Sequence, residues 1–94
     1  MLINAALILA LYYFYIMRKL KLIWDFKGPD AEQTAKHHLI HLKEYINSNS
    51  VETLASGTEL ITDRHHICFV ALNEADMPAM RDNLKPHRGQ LWTP

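Results

Sequence analysis

One cysteine, three glycines and a net charge of zero set the first limits on this 94-residue chain. A lone thiol, Cys68, cannot close an internal disulfide or build a cysteine-based zinc cage, and it suits a reducing compartment. Ten basic residues balance ten acidic ones, so no field steers the chain onto nucleic acid and no acidic tail is present. The few glycines form no phosphate-cradling loop. There is no Ser/His/Asp order and no close carboxylate pair with a defined surround. At this length there is room for one modest core and not for two. Histidine is what the chain holds in excess, with six.

Charge is missing altogether from residues 2–17, which are apolar or aromatic apart from Asn4. The run is short for a bilayer span, which wants about 20 residues. A secretory signal is excluded: the cationic cluster Arg18, Lys19 and Lys21 follows the apolar run instead of preceding it, and no small-residue cleavage site comes after. Two readings stay open. Residues 2–17 form an anchor, with Tyr12, Tyr13 and Tyr15 near the interface and residues 18–94 on the cytoplasmic face of the membrane. Alternatively, Met17 is the biological start and "MRKLKLIWDF" opens a domain of the cytoplasm. An amphipathic core helix fits least, because the run has no polar face.

From residue 18 the pattern changes. In "KLKLIWDF", Leu20, Leu22, Trp24 and Phe26 alternate with Lys19, Lys21, Ile23 and Asp25, the period of a strand with one buried face. "KGPD" turns the chain, and Asp30 with Gln33 makes a capping box for a helix over residues 31–47. On that helix Ala31, Ala35, Leu39, Leu42 and Ile46 share one face, with His38 and Tyr45 at its margin. "TELIT", a two-residue "DR" turn and "HHICFVALN" predict a hairpin. The second of these strands is apolar on both sides and so belongs in the middle of a sheet. "NEADMPAMRDNLKP" predicts a shorter helix with Met77, Met80 and Leu84 on one stripe, capped by Asn73 or Asp76 and stopped before Pro86. "GQLWT" closes the chain as a last strand.

This order, β-α-β-β-α-β after an apolar N-terminal segment (1–17), predicts an α+β domain over residues 18–94. Its architecture is ferredoxin-like, a four-stranded antiparallel sheet with two helices on one face. The other face, with Ile23 and one side of the third strand, would be an exposed apolar patch in a monomer. A homodimer packing sheet against sheet would cover it.

The succession "KLKLIWDF", "DAEQTAKHHLIHLKEYI", "TELIT", "HHICFVAL", "DMPAMRDNLK" and "GQLWT" resembles the dimeric α+β barrel superfamily. That superfamily includes YCII-related proteins, muconolactone-isomerase-like enzymes and small antibiotic-biosynthesis-type monooxygenases. "HLIHL", His38–Leu42, is similar to the setting of a functional histidine early in the first helix of YCII-related proteins. The arginine and proline usual ahead of it are replaced here by Ala35, Lys36 and His37. The resemblance implies a pocket between sheet and helices, a small organic ligand, and a functional role for His38.

The residues themselves add candidates. His38 should project toward the sheet, where a titratable group in a cleft can act as acid/base or ligand anchor. Asp25 on the first strand is its candidate orienting carboxylate, although alternation puts it opposite Trp24. Trp24 would supply an aromatic wall for a planar ligand, and His87 and Arg88 a cationic loop for an anionic one. His37 and His41, four apart, have the spacing of two metal ligands, and Glu44 would complete a two-histidine, one-carboxylate set. That stripe faces solvent, so the sequence is read as carrying no metal and no cofactor. His65 and His66 open the third strand and must face opposite sides of the sheet.

Overall fold

The computed structural model describes the backbone of residues 4–16 and 18–93 and the side chains of 4–12 and 18–93. Met17 and the side chains of Tyr13 and Tyr15, on which the start-site and interface readings bear, lie outside these residues. Eight elements follow one another. They are α1 (Ala5–Ile16), β1 (Lys19–Lys27), α2 (Ala31–Ser48), β2 (Thr53–Thr62), β3 (His65–Asn73), a 3-10 turn (Glu74–Asp76), α3 (Met77–Leu84) and β4 (Arg88–Leu91). The four strands form one antiparallel sheet in the order β2-β3-β1-β4. The chain is thus α+β, with a four-stranded antiparallel sheet and three helices.

Alternation fixes which side each strand residue serves. Leu22 and Trp24 of β1 pair with Val70 and Cys68 of β3, and with Leu72 they meet Ala35 and Leu42 of α2 and Met80 of α3 in the core. Fully burying side chains such as Leu42, Leu72 and Met80 contributes about 2 kcal/mol each. The turn before α2 needs glycine: Gly28 has φ 113, in the left-handed region, and its N–H donates to the Arg64 carbonyl at 2.8 Å. The capping box does not form. The Asp30 side chain caps nothing, and its carbonyl instead accepts from the Thr34 N–H and hydroxyl. β2 is longer than predicted and absorbs two register shifts, between Thr53 and Ala55 and between Leu60 and Thr62. The last strand starts one residue earlier than "GQLWT" and ends at Leu91.

The second face of the sheet corrects the expectation of an exposed apolar patch. Ile23 and Ile67 are 1% and 2% exposed within the single chain. Cross-strand neighbours on the same face shelter them: Ile23 lies opposite Phe69 on one side and Arg88 on the other, and Ile67 lies opposite Asp25. Lys21 stands 4.4 Å over the Phe69 ring and reaches Glu59 at 3.0 Å. Aliphatic stems therefore cover apolar surface while their heads stay paired or wet.

α1 stands apart from this plan. Its packing with the domain is concentrated on the 3-10 turn, and Leu7, Ile8, Leu9, Leu11 and Tyr12 are 49–68% exposed. Twelve residues rise only about 18 Å, against a hydrocarbon core of about 30 Å. No helix among the described residues is long and apolar enough to cross a membrane.

Candidate functional site

A groove of about 460 Å³ runs between α3 and the β1–β4 edge. Leu20 and Leu22 enter it from β1, opposite Leu91 and Gly89 of β4. Met77 and Arg81, one helical turn apart on α3, line it with Pro86, and Arg18, Arg88 and Gln90 complete the lining. Gly89 decides how much room there is. A Cβ on it would lie 3.6 Å from Leu22 Cδ2, an ordinary contact, so a larger side chain there would fit the backbone and stand in the groove. Leu91, 63% exposed, leaves apolar surface open to whatever enters.

Three arginines and no carboxylate residue line this groove, with the Arg88 guanidinium turned to Asp25 on the other face of the sheet. The partnering carboxylates stand outside it. Arg18 Nε lies 3.2 Å from Glu74, and Arg81 Nε donates to Asp82 at 3.0 Å. Arg88 is more fully engaged: Nε and Nη2 both donate to Asp25, at 2.9 and 3.1 Å, the two-pronged match of guanidinium to carboxylate. Arg88 is the one ligand-binding residue predicted from sequence that lines the groove. Trp24, His87 and His38 do not.

The pairing of Asp25 with His38 fails for the reason alternation foretold. His38 packs on the helix-covered face, with its ring 5.3 Å from Trp24 and 5.4 Å from Phe26, whereas Asp25 points to the other face. There Asp25 accepts from Arg88 and meets His65 Nε2 at 2.7 Å. The Arg88 hydrogen bonds, helped by His65, hold its carboxyl at about 2 despite partial burial. His87 sits behind the cluster. Its Nδ1 accepts the Asp25 backbone N–H at 2.8 Å, so a neutral His87 carries its proton on Nε2. His87 is thereby a structural acceptor in a strand-end loop.

His38 has no hydrogen-bond partner for its buried Nε2 among the described residues, and neither has His66 for Nδ1. Burial lowers the His38 pKa first, and the neighbouring imidazoles of His41, His87 and His37 lower it further. The ring is thus held neutral between two aromatics and lies outside the groove. Trp24 is likewise committed, its indole N–H donating to the Leu84 carbonyl at 2.9 Å. Burial pushes the Cys68 thiol up to about 12, which makes it inert as a nucleophile.

His37 and His41 bring their Nε2 atoms within 3.0 Å. Glu44, however, addresses the opposite nitrogen of His41, Nδ1, at 3.6 Å. The three groups therefore do not converge on one point, and no set of three His, Cys, Asp or Glu side chains among the described residues does.

The sequence reading missed most of the groove: Leu20, Met77, Arg81, Gly89 and Leu91. Met77 and Arg81 at helical spacing, one apolar and one cationic, were the available signal. What could not be read is that α3 leaves the strand edge partly uncovered. Compared with protein-family models, curated proteins and solved structures, the chain matches none. The functional argument therefore stands on the groove itself.

Proposed function

We propose that this chain is a ferredoxin-like domain that binds a small organic molecule in the groove between α3 and the β1–β4 edge. The single observation that carries this is an apolar floor of four side chains, Leu20, Leu22, Met77 and Leu91, bordered by arginines in a space of about 460 Å³. Sites for small ligands are of this size and this mix. The order of elements and the β2-β3-β1-β4 sheet support the ferredoxin-like assignment. Binding is preferred to catalysis because no lining side chain is a nucleophile or a general base at neutral pH. A homodimer, if formed, would need apolar surface other than Ile23 and Ile67, which are already buried within one chain.

The test is a fragment screen followed by NMR. Fragments should shift the methyl signals of Leu20, Leu22, Met77 and Leu91, and Gly89→Phe, which fills the groove, should abolish those shifts with the fold intact. Shifts that persist in Gly89→Phe, or that map elsewhere, would reject the groove as the site.

A second reading has its own observation. The exposed apolar side chains of α1 favour an interaction module in which this helix, not the groove, meets the partner.

A further inference from the structure

We infer that the groove selects organic anions. An apolar body lies on Leu20, Leu22, Met77 and Leu91, and a carboxylate, sulfonate or phosphate group is held by Arg18 and Arg81. This rests on the groove being the binding site.

The argument is one of unequal commitment among three arginines. Arg88 spends both edges of its fork on Asp25, on the other face of the sheet, so it offers a ligand little. Arg18 and Arg81 engage their carboxylates through Nε alone, which leaves their terminal amino groups as donors. Both are about half exposed, so part of their hydration is already given up and the rest is exchanged for the ligand's oxygens. Glu74, Asp82 and Asp25 neutralise charge nearby but none lines the groove, so an entering group meets donors and no competing acceptor carboxylate. The remaining polar lining group, Gln90, is neutral.

Position adds to this. Arg18 precedes β1 and Arg81 belongs to α3, so the two cations reach the groove from different elements. Planar, two-pronged donors suit carboxylate, sulfonate and phosphate oxygens, and the apolar floor requires that the anion carry a hydrocarbon or aromatic body. Inorganic phosphate alone would forgo the floor, and a neutral hydrocarbon would forgo the arginines.

A matched pair of fluorescent probes separates these contributions. 8-Anilinonaphthalene-1-sulfonate and N-phenyl-1-naphthylamine share one apolar body and differ by the sulfonate. In the full chain the sulfonate should bind about tenfold more tightly at low salt. The gap should narrow to about twofold in 0.5 M salt and in Arg18→Gln with Arg81→Gln, while Arg81→Lys keeps part of it. Gly89→Phe should remove both probes, whereas dye on exposed α1 side chains would be indifferent to it. Equal affinities for the two probes, both lost in Gly89→Phe, would overturn anion selectivity and leave the groove standing. Signals indifferent to Gly89→Phe would remove the groove and this inference with it. Circular dichroism of each variant confirms that the fold is kept.

Discussion

At the scale of the residue, His38 shows what it costs to bury an imidazole among aromatics. Its ring is wedged between Trp24 and Phe26 with one nitrogen buried and unpartnered, a liability of about 1–3 kcal/mol. His38→Leu, which keeps an apolar body there, should therefore raise stability by about 1 kcal/mol in chemical denaturation at pH 8. The pH dependence follows from the lowered pKa. Below about 6.5 the unfolded chain takes up a proton that folded His38 refuses, so stability falls as pH drops from there to the folded value. In the leucine variant this contribution is gone, and its advantage over the parent should grow between pH 7 and pH 5. A variant less stable than the parent at pH 8 would mean that the imidazole makes a contact worth more than its orphaned nitrogen costs.

At the scale of the element, the end of α3 is where local chemistry and local shape disagree. Lys85 stops the helix in the left-handed conformation, φ 50 and ψ 59, with its N–H on the Arg81 carbonyl, a place where glycine is usual. Pro86 follows and forbids continuation. Lys85→Gly should stabilise the chain by about 0.5–1 kcal/mol, read as a higher denaturation midpoint at unchanged slope. No gain would show that the lysine side chain earns its strained backbone by a contact of its own. The elements themselves were legible because each obeys a short-range rule. Period two is clear in β1, a 3.6 period in α2, and a two-residue turn at Asp63–Arg64 sets the hairpin. The capping box expected at Asp30 is absent because the Asp30 side chain does not turn back onto the first helical turn, a choice made by rotamers and not by spacing. The site was far less legible. His38 and Asp25 looked like partners in one dimension, and only the parity of β1 warned that they face apart. The groove depends on how far α3 reaches over β4, a tertiary distance that no periodicity encodes.

At the scale of the whole molecule, α1 and the domain are unequal parts. Among the described residues α1 meets the rest chiefly at the 3-10 turn, and the Arg18–Glu74 pair sits beside that junction. A chain of residues 17–94 should unfold cooperatively with a midpoint within about 4 °C of the full chain. Its solubility should be higher, as measured by light scattering over a concentration series. Loss of cooperative unfolding would instead make α1 part of the core. The sheet, too, is bounded in a way that concerns the molecule as a whole. β4 is four residues long, and β2, the other edge, carries its most exposed apolar residues at Leu60 and Ile61. The register shift between Leu60 and Thr62 falls on that very stretch. An incoming strand would find no straight template at that end of β2, so the irregularity that spoils one end of the hairpin also makes its most apolar stretch a poor edge for another strand to join.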